Sequence, residues 1–203
     1  EEIEQKWDDI AEAIQDVLDF VRSKTFIRSG KALPSYLVLI PLIYFRYHYA
    51  EAWKNAAGRE TYLLRCSLAG AFSGQPDDLI DVLVKKLDEL KEFSLDEMFG
   101  IIRTQGRSLE LTQERLWQMG YNSDSIHLLF NLWYPFNYTP SYDNNLPQVD
   151  HIFPLSELRK IKIKNPNTGR NDLLKYREAD RNQLANCELL TMGENGAGGK
   201  GSK

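Results

Sequence analysis

Cysteine is scarce in this chain: Cys66 and Cys187 are the two in 203 residues, and they stand far apart. No Cys-x-x-Cys occurs, which excludes a zinc ribbon, and the pair gives no disulfide framework. Such usage fits a reducing compartment, so a cytoplasmic location is expected. No signal peptide is visible at the start. No initiator Met opens the chain either, so it reads as a fragment of something longer. Long apolar runs are also missing. The most apolar stretch, LPSYLVLIPLIYFRYHY from Leu33 to Tyr49, has about twelve apolar residues before Arg46 and His48, short of the roughly 20 that a bilayer needs. It reads as a core helix, kinked or restarted at Pro41. No phosphate-binding glycine loop follows a strand. Charge of one sign is modest: a net charge of -4 excludes a generally basic, histone-like binder and leaves room for a local basic patch.

What is present is enough for a core. Hydrophobic residues make up 42% and aromatics 11%, while a charged fraction of 27% argues against a disordered chain. The first two thirds carry helical periodicity. Ile3, Trp7, Ile10, Ile14, Val17, Leu18 and Val21 form one stripe. The acids around them, including Glu12 and Asp16, read as a solvated face. Ser35 to Trp53 is expected to be the central helix, and Arg59 to Phe72 another. Gly74-Gln75-Pro76 breaks the chain, and Asp77 and Asp78 suit the amino end of a helix through Leu90. Ser94 with Glu97 is a capping box, and Thr112 is a cap for a helix to Met119. Ser123 or Ser125 opens a last helix with Ile126, Leu129, Phe130 and Trp133. His48 and His127 read as core or boundary histidines.

The texture changes after Tyr134. Pro135, Asn137, Pro140, Asp143, Asn144 and Pro147 mark a loop or domain boundary. The expected organisation is therefore a helical region over 1–134, a linker over 135–147 and a small second region over 148–203. In that region Gln148 to Pro154 reads as extended and Cys187 to Met192 as a second strand. Between them lies a basic insert. From Leu155 to Arg181 there are eight basic residues, Arg159, Lys160, Lys162, Lys164 and Arg170 among them, against four acids, a local net of +4. Such a patch fits a polyanionic substrate, because phosphate contacts dominate nucleic-acid affinity.

Two short pieces carry the chemistry. The first is Val149-Asp150-His151-Ile152-Phe153-Pro154. The second is Asn186-Cys187-Glu188-Leu189-Leu190-Thr191, followed by Asn195 and Lys200. Asp150 is a hard oxygen ligand suited to a cation such as Mg²⁺. Histidine titrates close to neutrality and suits the removal of a proton from water. Strand neighbours point to opposite faces, so Asp150 and His151 can serve one site only where the strand ends or bends, and Pro154 is consistent with such an ending.

This arrangement resembles the ββα-metal, or His-Me finger, motif of HNH endonucleases. More narrowly, DHIFP with NCELLT and ENGAGGKG resembles the HNH half of GmrSD-type modification-dependent restriction enzymes and related antiphage proteins. The motif resemblance covers about residues 147 to 203. It implies that His151 is the general base, that Asp150 and Asn195 hold one Mg²⁺ or Mn²⁺, that Asn186 holds the His151 backbone or ring in place, and that Lys200 meets a phosphate. It also implies a nucleotide-dependent domain elsewhere in a longer parent protein. The run from Gly196 to Gly199 replaces a strong helical sequence after Asn195, so the final helix of the motif is expected to be cut short.

The expected fold is mainly α, with about seven helices followed by a small ββα-metal motif. The expected function is metal-dependent hydrolysis of DNA phosphodiesters in restriction or phage defence. The alternatives are a ribonuclease, since the motif meets phosphate and metal and not the sugar, or an inactive helical binding or sensor fragment. No membrane partner is expected, and an oligomer is compatible with the sequence.

Overall fold

The computed structural model describes residues 5–25, 27, 30–133 and 148–190 of the chain. It is mainly helical and falls into two compact units, one ending at Leu111 and the other starting at Thr112. Among the described residues no helix is long and apolar enough to cross a membrane.

Among its described residues the first unit is built of helices joined by turns and loops, with no strand. Helix α1 (Trp7–Lys24) buries Ala13, Val17 and Val21; of the expected stripe Val17 and Val21 are buried, Ile10, Ile14 and Leu18 are half-buried, and Trp7 is exposed. The apolar central segment does not form one helix. A 3-10 turn (Tyr36–Leu39) leads into α2 (Ile40–His48), and α3 (Ala50–Asn55) follows after a break at Tyr49. Pro41 explains the first division. Its ring fixes φ and removes an N–H, which the first turn of a helix tolerates and the interior does not. Helix α4 (Arg59–Leu68) stops short of Phe72 because Gly70 takes a left-handed conformation. Ala71 N–H there reaches back to the Cys66 carbonyl at 2.9 Å. Helix α5 (Asp77–Leu90) begins at the two aspartates and buries Leu79, Ile80, Leu83 and Leu87. Helix α6 (Leu95–Thr104) is capped by Ser94, whose hydroxyl accepts from the Glu97 N–H at 3.4 Å.

Helix α1 packs on α2, α2 on α5, and α6 on both α4 and α5. Leu42, Phe45, Tyr62, Leu63, Leu83 and Leu87 are completely buried at the centre. Two of the acids expected on a solvated face take a partner: Arg46 donates to Asp16 at 2.5 Å and to Glu12 at 2.8 Å. His48 is exposed, its ring tilted against Tyr44 with centroids 4.2 Å apart. Of the core or boundary position expected for it, the core is excluded.

The second unit opens with α7 (Gln113–Gln118), capped by Thr112, and α8 (Ile126–Trp133). These helices were expected to belong with the helical region. They group instead with the strands, because the turn between them is tied to residues 182 and 183. Gly120 forms a bridge with Gln183, and Tyr121 N–H donates to the Asn182 carbonyl at 2.9 Å. Helix α8 also lies against β4. Strand β1 (Gln148–His151) pairs antiparallel with β4 (Cys187–Leu190), in the register Asp150 opposite Glu188 and His151 opposite Cys187. Between them come a single helical turn, α9 (Leu155–Leu158), a hairpin of β2 (Lys162–Ile163) and β3 (Leu173–Leu174), and a second turn, α10 (Glu178–Arg181).

Candidate active site

The site is built where β1 ends. His151 is the last strand residue, and the backbone bends away at Ile152 and Phe153. Alternation sends Asp150 and His151 to opposite faces of the ladder. Asp150 is half-buried and shares its face with Glu188, directly across the pair; His151 is buried and shares its face with Cys187.

The imidazole of His151 is held on two sides. Its Nε2 lies 3.0 Å from Oδ1 of Asn182. The Tyr121 ring stacks on it, with centroids 4.2 Å apart and planes 19° from parallel. Neither residue is marked by any local motif. Each comes from a segment about thirty positions away, so no spacing signal exists for them. Gly120 brings those segments together, since a Cβ there would stand 2.2 Å from the Asn182 carbonyl oxygen. Only a glycine allows the two chains so close. A cleft of about 400 Å³ lies along the same junction, with Trp117, Tyr121, Asn182 and Gln183 among its walls.

Asn186 sits in a 3-10 turn (Leu184–Asn186) and is buried. Its Oδ1 accepts from the Phe153 N–H at 2.8 Å, while its Nδ2 donates to the carbonyls of Arg181 at 2.8 Å and of Phe153 at 3.3 Å. Its own carbonyl accepts from Ile152 N–H at 3.0 Å. Of the two tasks expected for it, Asn186 fixes the backbone just beyond His151, and the ring is held by Asn182. Arg181 is also buried. One guanidinium nitrogen donates to the Tyr176 carbonyl at 3.0 Å, and its Nε has no hydrogen-bond partner.

Cys187 is buried on the His151 face. Burial pushes its thiol up to about 11. The side chain donates to the Gln183 carbonyl, 3.3 Å from Sγ.

Among the described residues no group of three His, Cys, Asp or Glu side chains converges. The donors that do share a face, the carboxylates of Asp150 and Glu188, are hard oxygens of the kind that suits Mg²⁺ or Mn²⁺. Asn195 and Lys200 lie outside the described residues. Arg159, Lys160, Lys162, Lys164 and Arg170 are all exposed, from the end of α9 to the tip of the β2–β3 hairpin. Lys160 is paired with Glu157 at 2.6 Å. No protein-family model matches the chain, and no curated protein sequence matches it either.

Proposed function

We propose that this chain carries the nuclease part of an HNH-type endonuclease that hydrolyses DNA phosphodiester bonds with a divalent cation, in restriction or phage defence. One observation supports this reading above the others. Asp150 and His151 end a strand whose partner begins at Cys187, directly after the residue that fixes the bend, Asn186. The sequence motif and the hydrogen bonds therefore point to the same few residues.

In this mechanism His151 is the base. The Asn182 amide oxygen is an acceptor, so the neutral ring carries its proton on Nε2 and keeps its lone pair on Nδ1. Nδ1 then takes the proton of the attacking water. Tyr121 and Asn182 fix the ring plane, and Asn186 fixes the chain that leaves the ring, so the base is positioned before substrate arrives. Asp150 would hold the cation, with Asn195 as the second ligand that the motif resemblance implies. A bound Mg²⁺ or Mn²⁺ supplies charge stabilisation for the phosphate and the leaving oxygen. The basic residues from Arg159 to Arg170, with Lys200, bind the phosphates that flank the cut.

The test is plasmid cleavage by purified protein with Mg²⁺ or Mn²⁺, alongside His151→Ala and an EDTA control. Removal of the base is expected to lower the rate by roughly 10² to 10⁴. Cutting by His151→Ala at the wild-type rate would sink the mechanism. Matched RNA in the same assay separates a deoxyribonuclease from a ribonuclease.

A further inference from the structure

The segment between the two site strands is folded into an arm. Ile161 carbonyl accepts from Lys175 N–H at 3.0 Å, Lys162 pairs with Leu174, and Ile163 pairs with Leu173. The tip is closed by Asn165. Its N–H donates to the Arg170 carbonyl at 2.7 Å, and its Oδ1 accepts from Asn167 N–H at 3.0 Å. Gly169 supplies the left-handed position at φ 70° that this turn requires.

The arm has two unlike faces. Residues opposite each other in the ladder share a face, so Ile163 and Leu173 lie together, and Ile161 follows two positions away by alternation. Lys162 and Leu174 occupy the other face, with Lys164 beside them. None of these side chains is buried: Ile161, Ile163, Leu173 and Leu174 are between 37% and 43% exposed. A lone two-stranded hairpin is marginal in water, and aliphatic residues left open on one are an exception that calls for a partner. Charge identifies the class of partner. Residues 159–177 hold seven basic side chains and one acid, a net of +6 within a chain of -4.

We propose that this β2–β3 arm enters the major groove of duplex DNA. The choice of DNA as the polyanion rests on the nuclease reading. Paired strands stand about 4.8 Å apart, and the major groove, about 12 Å wide, admits a two-stranded ribbon. Ile161, Ile163 and Leu173 face the groove floor, where thymine methyls and base edges offer apolar contact. Lys162 and Lys164 bend their long stems round the ribbon edges to the phosphates of the groove walls. Duplex RNA is excluded, because its major groove is too deep and narrow for the ribbon.

Fluorescence anisotropy of a labelled DNA duplex, titrated with the full chain in EDTA, tests the arm without cleavage. Ile163→Ser with Leu173→Ser is expected to weaken binding about tenfold, with the salt dependence unchanged. Lys162→Ala with Lys164→Ala is expected to lower the slope of log affinity against log salt by about 2. Both pairs are exposed, and an unchanged melting curve confirms that each variant folds. Wild-type affinity in both variants, equal affinity for duplex RNA, or no binding of duplex DNA by the wild type would overturn the arm. The two readings fail separately. Binding through the arm with no metal-dependent cutting sinks the nuclease, whereas cutting with an arm whose variants bind normally sinks the arm.

Discussion

The helical unit and the strand-bearing unit are held together by different means. In the first, Leu42, Phe45, Tyr62, Leu63, Leu83 and Leu87 are sealed from water, and stability is spread over many non-directional contacts. In the second, the strands are two to four residues long, and those of the arm are exposed at every position. Much of what orders the second unit around the site is directional. Asn186 grips two backbone segments, Asn182 grips the imidazole, and Asp180 caps α10 by accepting from Arg177 N–H at 2.8 Å. A packed core tolerates small shifts because no single contact decides it. A site built on a few amide bonds fails at single atoms, and it also sets ring and backbone positions to within hydrogen-bond tolerance.

That contrast can be tested by breaking each part in turn. The largest effect is expected from Leu83→Ala on α5, which empties a fully buried site and should cost roughly 3 to 4 kcal/mol in chemical denaturation. Asn186→Ala removes no apolar core yet should cost about 2 to 3 kcal/mol, since it strands the Phe153 N–H and two carbonyls. A loss well under 1 kcal/mol would mean that packing rules the second unit as well. On the proposed nuclease reading, Asn182→Ala should lower the cleavage rate about tenfold, because the ring keeps its stacking partner and loses its orienting bond, and should cost about 1 kcal/mol for the stranded His151 Nε2.

The smallest effect belongs to the surface of the first unit. Hydrogen bonds from Tyr49 and Tyr44 hold the Asp88 carboxyl below its usual range. Its folded value therefore lies under its unfolded one. The stabilisation is present above the unfolded value and is lost as pH falls through the folded one. The Tm gap between wild type and Asp88→Asn should be widest at neutral pH and close in acid.

Local chemistry made much of the helical unit legible. The Ser94 and Thr112 caps, the aspartates at α5 and the stripe on α1 are signals confined to a few residues, and each marks the element found there. The central segment was harder, because its apolar residues run without a polar face, so nothing in the pattern reported the break at Tyr49. The arm was missed for another reason. Ile161-Lys162-Ile163-Lys164 alternates, and Asn165 and Gly169 carry turn chemistry, but the strands are two residues long and bury no face. At the site, Asp150, His151 and Asn186 stand in recognisable short motifs. Tyr121 and Asn182 do not, since their link to His151 exists only after residues 120 and 182 have come together.

The separation of the two site strands has a consequence for how the protein is made. His151 pairs with Cys187, 36 positions further on, whereas Ile163 and Leu173 in the arm are 10 apart. Closing loops of those lengths costs about 3 and about 2 kcal/mol of chain entropy. The arm is therefore expected to close first, drawing Ile161 beside Lys175 and shortening the gap that β1 and β4 must still bridge. During synthesis Asp150 and His151 join the chain before Asn186 and Cys187, so a growing chain carries the first pair with nothing yet to position it. The pairing of β1 with β4 cannot form until β4 has been delivered.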